Sequence, residues 1–528
     1  MAWDVNRSRS RILQLTQSVP TGAVSVRTFD QGFLQHRQVV AQGLGKRLFL
    51  DEAPILNIPV NQAILVDGVH VYVQLLGYHD VLQDQGRETE TSHARVLQFL
   101  HLHYSAADRI VAAFEGQRVD FHGPRLHAIV VTPPGPGNER ARVIRAIAMA
   151  STLKETIEKA GAQFGNQRLR AQVRIGIDTG QAVAVNSGRG GEPEPLFLGS
   201  PANYAAKLAE GSEPGIFLSD RARAVLGMRA AGSLLLERAM AMSDSEALGY
   251  VHQDAGGHYW QTGSQVSRQK VDEAIQALQA DTALNAVLGS EAVFRFHHHE
   301  PPLRSIKFAE LMPSNSIRMP LMSVFADIDG FTVYVDRCIT TGQVREMVAN
   351  LHVIRGELAA VLKDDFNGRK VRFIGDCLHG LIAEGNRVDT DRISSVTQAV
   401  LLAGGLRSSF DLCRKLLPGV GDLGLAIGLE LGATPVTRLG IRGERSVRCA
   451  SSKAVSASED LQRKCNGAET AMGETAIASA NARVKALFRS GITRNLDYET
   501  ASIMLSGVAA PAVVPAAPRS EFRAHGNG

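Results

Sequence analysis

Apolar positions along the chain fall into short alternating runs separated by longer stretches with a helical period. Ala63 to Val66, Val119 to Val131 and Val173 to Val185 are β-rich, and the second has the turn-centred form of a hairpin. His93 to Phe114 and Ala141 to Ala160 place apolar residues three and four apart and predict helices. Further along, Met322 to Asp327 predicts a strand and Glu346 to Leu362 a helix. Val371 to Ile382 predicts a hairpin around Gly375-Asp376, Val396 to Leu417 a helix, Leu423 to Leu431 a strand and Val455 to Gln462 a helix. The interleaved order predicts an α+β fold, with helices packed on a mainly antiparallel sheet.

The same order of elements occurs twice, and the residues repeat with it. Leu65-Val-Asp-Gly-Val-His-Val-Tyr-Val73 matches Asp327-Ile-Asp-Gly-Phe-Thr-Val-Tyr-Val335 at five of nine positions. Val119-Asp-Phe-His-Gly-Pro-Arg-Leu-His-Ala-Ile129 matches Val371-Arg-Phe-Ile-Gly-Asp-Cys-Leu-His-Gly-Leu381 at five of eleven. Gly123 to Gly180 and Gly375 to Gly432 are both 57 residues apart. Three matches in order imply two diverged copies of one domain, expected at 46–254 and 319–507; a period this long excludes a solenoid. Residues 1–45 carry no readable signal. Residues 255–318 read as a linker with one helix, Val271 to Leu288, and then His297-His298-His299. Consecutive histidines do not converge on one ion, so a solvated segment is expected there. Residues 508–528, rich in Ala, Pro and Gly, read as a disordered tail.

Composition narrows the class. With 44% hydrophobic and 21% charged residues in 528, the chain has material for more than one core. A net charge of +4, from 57 basic and 53 acidic residues, is too small at this length to indicate a nucleic-acid partner. Five cysteines without paired spacing argue against a disulfide framework and fit a reducing compartment. No signal-peptide or membrane-spanning pattern is present, so a cytoplasmic protein without membrane contact is expected.

The sharpest chemical signal is Phe325-Ala-Asp-Ile-Asp-Gly-Phe-Thr332 followed by Phe373-Ile-Gly-Asp376. A strand ending at Asp327, with Asp376 on a neighbouring hairpin tip, brings two carboxylates together. With the backbone carbonyl of Ile328 they suit two hard divalent cations, Mn²⁺ or Mg²⁺. The turn Asp329-Gly330-Phe331-Thr332 leads into a helix whose free N–H groups can cradle phosphate. Metal and phosphate cradle together point to phosphoryl transfer.

These residues resemble the class III nucleotide cyclase domain, whose metal motif is a strand ending F-A-D-I-x-G-F-T and whose second metal Asp sits in a G-D hairpin. The resemblance covers both copies. It implies that two domains pair head to tail, one face giving the metal aspartates and the other an Asn and, four residues on, an Arg. Within Glu194-Pro-Leu-Phe-Leu-Gly-Ser-Pro-Ala-Asn203-Tyr-Ala-Ala-Lys207, Asn203 falls on that Asn and Lys207 on that Arg; lysine keeps the charge and loses the bidentate fork. On the ungapped alignment the metal positions of the first copy are Leu65 and Pro124. The Asn and Arg positions of the second are Ser456 and Asp460. The copies have therefore lost complementary halves, leaving one complete site in an expected intramolecular pseudo-dimer, with a homodimer as the other arrangement.

The family's adenine contacts, a Lys and an Asp, fall on Asp120 and Leu196, which cannot reproduce them; Asp120 can instead accept from an N–H of guanine, uracil or cytosine. The stretches Pro301 to Phe308, Ala326 to Asp336 and Arg438 to Cys449 resemble the bacterial pyrimidine cyclases of Pycsar antiphage systems. That resemblance implies cyclic UMP or cyclic CMP as product, acting on a separate cyclic-nucleotide-sensing effector. A purine cyclase and an inactive nucleotide-binding regulator are the alternatives. A phosphatase of the haloacid-dehalogenase type, suggested by Asp327-Ile-Asp-Gly, lacks its second acidic pair because Gly380 stands four residues after Asp376.

Overall fold

A computed structural model describes residues 2–35, 55, 58–164, 167–186, 195–232, 241–256, 262–440 and 446–506. The expected tail, residues 508–528, lies outside the described residues, as do 36–45 of the N-terminal segment. The chain forms two compact units. The N-terminal unit comprises Ser25–Phe294 and Leu439–Val447; the C-terminal unit comprises Met1–Val24, Arg295–Arg438 and Arg448–Gly528.

In the N-terminal unit the strand Gln62–Leu76 is central. It pairs antiparallel with Gln172–Asn186 from Ile64↔Ala184 to Leu76↔Gln172, and on its other side with Arg125–Val130. Its sequence dictates the sheet: Val71, Val73 and Leu75 are buried and alternate with the half-buried Tyr72 and Gln74. The hairpin partner Gln117–His122 closes one edge and Pro195–Leu198 the other, while Gly215–Leu218 runs parallel to the start of Gln172–Asn186. Helices Glu90–Ala113 and Glu139–Gln163 pack together and against the sheet.

The C-terminal unit repeats this plan. Ser316–Asp329 is central, between Gly424–Leu439 and Cys377–Ile382, with Arg369–Ile374 beyond the hairpin and Glu469–Met472 parallel to Gly424–Leu439. Helices Val344–Ala360 and Arg392–Leu416 are its pair. One close approach occurs in both units. A Cβ on Gly176 would lie 2.1 Å from the carbonyl oxygen of Ala205, and one on Gly428 would lie 2.1 Å from that of Ser458. Helices Ser200–Leu208 and Lys453–Lys464 therefore cross their long strands at equivalent points, where only glycine fits.

These equivalences correct part of the sequence alignment. Leu126 pairs with Val73 in one unit, and Leu378 with Ala326 in the other. Gly77 (φ +84°) and Gly330 (φ +83°) both end the central strand and open a helix. The counterpart of Asp327 is thus Gln74, and that of Asp329 is Leu76; Leu65 lies nine residues earlier, in mid-strand opposite Val183. The five identities misled because Val71-Tyr72-Val73 is strand whereas Val333-Tyr334-Val335 is helix. A β-branched and aromatic triplet is compatible with either.

The domain boundaries are also corrected. Helix Val5–Ser18 belongs to the C-terminal unit, packed on Val344–Ala360 and Arg392–Leu416. Ser8 and Ile12 are fully buried there. Arg11 bonds both Glu357 and Asp365 at 2.8–2.9 Å, two carboxylates 0% and 1% exposed. The expected linker is not a free segment. Its predicted helix is two, Gly263–Ala280 and Thr282–Leu288, broken at Asp281, which caps the second; both pack on Glu90–Ala113, and the first also on Glu139–Gln163. Leu303, Ile306, Phe308 and Leu311 then enter the C-terminal core. His298 bonds Thr390 (3.2 Å) and His299 bonds Ser305 (2.8 Å), so the histidines diverge. The helix preceding each copy therefore packs on the other copy's helix pair.

Candidate active site

The C-terminal unit brings Asp327, Ile328 and Asp376 together. Asp327 stands two residues from the end of the central strand, and Asp376 follows Gly375 (φ +61°) in the turn between Arg369–Ile374 and Cys377–Ile382. Both carboxylates are half-buried. Burial, together with the neighbouring Asp329 charge, pushes Asp327 up to about 6, against hydrogen bonds from the Gln462 side chain and the Cys377 thiol. Burial and the Asp327 charge push Asp376 well above the usual carboxylate range, although its carboxylate accepts from the Ile328 backbone N–H. Two carboxylates forced together against their own repulsion form a donor set that a divalent cation relieves.

The adjacent turn has the predicted form. Gly330 adopts the left-handed conformation and opens helix Phe331–Thr340, and no side chain caps it. The first hydrogen bond along that helix runs from the Tyr334 N–H to the Gly330 carbonyl, so the turn presents a helix N-terminus of the kind that holds phosphate. Thr332 is half-buried beside them. The exposed Asp329 carboxylate accepts from the Gly467 N–H at 2.7 Å, which ties the end of the strand to that loop. Gln462, Cys377 and Gly467 were not singled out by sequence reasoning. Their residue types carry no motif, and only the sheet and helix packing puts them at Asp327 and Asp329.

The other predicted residues lie on the N-terminal unit. Helix Ser200–Leu208 buries Pro201, Ala202, Ala205 and Leu208, so Asn203 and Lys207, one turn apart, share its exposed face. Asp120 is half-buried on one edge strand. Leu196 is 5% exposed on the other. These two edge strands approach each other, since Gln117–His122 contacts Pro195–Leu198. Leu196 supplies an apolar wall there and no polar group.

The packing equivalences test the pattern of losses copy by copy. With Ala205 matched to Ser458, Asn203 falls on Ser456 and Lys207 on Asp460. Gln74 and Pro124 stand where Asp327 and Asp376 do. Neither Gln74 nor Pro124 is a carboxylate, and Gln74 takes the place that the ungapped alignment gives to Leu65. Among the described residues no helix is long and apolar enough to cross a membrane, no three His, Cys, Asp or Glu side chains cluster around a common point, and all five cysteines are free thiols.

A fold of two such units, one carrying an aspartate pair beside an open helix N-terminus, defines a class III nucleotide cyclase. The chain is similar to a solved class III adenylyl cyclase-like ATP-binding protein from Pseudomonas aeruginosa, at a TM-score of 0.82 and 37% identity over 96% of this chain and 99% of that one. It is 50% identical over 499 residues, 94% of each chain, to a uridylate cyclase from a Rhizobium species. It is 40% identical over 471 residues, 87% of each, to a uridylate cyclase from Pseudomonas aeruginosa. No protein-family model matches. The chain belongs to the family of these uridylate cyclases and is a nucleotide cyclase.

Proposed function

We propose that the protein converts UTP, and less readily CTP, to the 3′,5′-cyclic monophosphate and pyrophosphate, and that the reaction requires residues of both copies. The observation that carries this reading is the complementary loss. Asp327 and Asp376 have Gln74 and Pro124 as their counterparts in the repeat, while Asn203 and Lys207 have Ser456 and Asp460. Residues of both units are needed to make one set.

Asp327, Asp376 and the Ile328 carbonyl would hold two Mn²⁺ or Mg²⁺ ions, which supply hydroxyl activation and charge neutralisation on a triphosphate. The N–H groups opening helix Phe331–Thr340, with Gly330 and Thr332, bind phosphate oxygens, and Asp329 keeps that turn against Gly467. Asn203 orients the ribose. Lys207 offsets the charge that grows on the α-phosphoryl group as its bond to the β-phosphate oxygen breaks and its bond to the 3′-oxygen forms. At the base, Asp120 accepts an N–H and Leu196 packs on the ring, a combination that suits uracil or cytosine and leaves the polar edge of adenine without its partners.

The names of the two relatives support uracil. The name of the solved neighbour, an ATP-binding protein, favours a purine, and that is the second reading. The likeness to Pycsar pyrimidine cyclases extends the proposal to a role in antiphage defence, the product acting on a separate cyclic-nucleotide-sensing effector. Incubation of the pure chain with each nucleoside triphosphate and Mn²⁺, followed by separation of products, tests it. Cyclic UMP as the main product, cyclic CMP next and little cyclic AMP are expected. A dominant cyclic AMP peak would establish the purine reading, and no turnover with any nucleotide would leave an inactive nucleotide-binding regulator.

A further inference from the structure

Lysine in place of the family's arginine leaves a difficulty that the N-terminal unit answers. A lysine ammonium is a point charge on a flexible four-carbon stem, and holding it at one place costs rotamer entropy that a forked guanidinium offsets through paired bonds. Lys207 is exposed, at the end of a short helix. Beside it on that helix stands Tyr204, 48% exposed, its ring centroid 5.7 Å from the Lys207 Nζ. The Arg221 guanidinium lies 5.2 Å from the same centroid.

Arg221 is itself firmly held. Its Nε donates to Asp178 Oδ1 at 3.2 Å, its Nη2 pairs with the other oxygen of that carboxylate, and its Nη1 donates to Ser200 Oγ at 3.0 Å. Asp178 is fully buried and also accepts from the Thr179 N–H at 2.8 Å and from Ser219 Oγ. A cation fixed to a buried carboxylate thus holds the tyrosine ring, and the ring's electron-rich face is left to hold a second cation.

The C-terminal copy has lost the whole ladder. Tyr204 corresponds to Ala457, Lys207 to Asp460 and Arg221 to Thr475. There Glu430 replaces Asp178 and accepts directly from the Ala476 N–H at 2.8 Å, capping the helix that Ser219 caps in the other copy. The fold is kept without ring or cations, so the ladder is not a requirement of the fold.

We infer that Tyr204 is a positioning residue for catalysis, presenting the Lys207 ammonium to the transferring phosphate with Arg221 as the anchor of its ring; the inference rests on the role of Lys207 given above. The test compares kcat and KM for Tyr204→Ala, Tyr204→Phe, Lys207→Ala and Tyr204→Ala/Lys207→Ala in the full chain, with the preferred nucleoside triphosphate and Mn²⁺. Loss of a cation–π contact predicts a fall in kcat of about 3- to 30-fold for Tyr204→Ala with KM little changed. Tyr204→Phe, which keeps the ring face, should recover most of that loss. In the Lys207→Ala background, Tyr204→Ala should have no further effect. An equal loss in both backgrounds, or a Phe variant as slow as the Ala variant, would overturn the role of Tyr204. Wild-type kcat for Lys207→Ala would instead overturn the composite-site reading on which it rests.

Discussion

The two copies share a fold and differ at the positions proposed for the chemistry. Both have a central strand ending in a left-handed glycine, Gly77 and Gly330, and both cross a long strand with a helix at a glycine, Gly176 and Gly428. Sheet order and hairpin register agree as well. Around this common frame the C-terminal copy has Asp327, Asp376 and Asp460, and the N-terminal copy has Gln74, Pro124 and Lys207 at the matching positions. Drift without function removes residues from both copies alike. Under the proposed function, a partition in which each copy retains what the other lacks reads as one site maintained and its symmetry mate released.

That partition predicts opposite sensitivities at equivalent positions. The largest effect is expected at the carboxylates: Asp327→Ala or Asp376→Ala should bring cyclisation below about 1% of wild type with the chain still folded, because each removes a ligand for the ions. Gln74→Ala and Pro124→Ala, at the matching positions, should stay within about twofold, as expected for partly exposed residues without a role. Initial rates with Mn²⁺ check this, and a Gln74 or Pro124 variant as slow as Asp327→Ala would remove the asymmetry. One step down, Asn203→Ala should lower kcat by about 10²–10³, the usual loss for a transition-state donor. Ser456→Ala should leave it unchanged.

The helices that precede the copies offer a second contrast, in stability. Arg11 bridges two carboxylates that are otherwise out of water, so Arg11→Ala should cost about 3–5 kcal/mol in urea unfolding of the C-terminal unit. On the N-terminal unit, helix Gly263–Ala280 is tied by the exposed pair Lys159–Asp272, and Asp272→Ala should cost less than about 1 kcal/mol. Equal losses would mean that the two docked helices are held in the same way.

Smaller still is the effect of pH on the aspartate pair. With Asp327 raised to about 6 by burial and the Asp329 charge, its carboxyl is protonated below that pH and ionised above it. A cation must displace that proton. Mn²⁺ affinity should therefore weaken as pH falls through about 6, and Asp376, itself raised by burial and the Asp327 charge, acts in the same direction. Calorimetric titration at several pH values checks the sign, and an affinity that stays flat between pH 5 and 7 would contradict it.

Much of this was legible in the chain. The hairpin around Gly375-Asp376 and the order of strands and helices follow from local patterns that the fold preserves. What was not legible depends on contacts remote in sequence. The segment holding Arg7 and Arg11 carried no readable signal because Glu357 and Asp365, their partners, lie more than 340 residues away. The segment after Asp254 read as a linker because the surfaces it covers belong to helices written far upstream. The slip that set Leu65 against Asp327 came from identities that ignore whether a residue lies in strand or helix. Tyr204 gave no signal, since its meaning comes from Arg221 and Lys207 meeting at one ring.

The central claim is that the aspartates of one copy and Asn203 and Lys207 of the other serve one reaction within the same chain. Mixing inactive Asp327→Ala protein with inactive Asn203→Ala protein, under conditions that permit subunit exchange, tests it most directly. If each chain pairs its own halves, every site keeps a lesion and the mixture stays inactive, as the account predicts; a chain that holds both halves gives them a high effective concentration for each other. If the halves pair between chains, a mixed dimer has one site with both lesions and one with neither. Recovery towards about a quarter of wild-type activity, as expected for exchange between swapped dimers, would contradict the account.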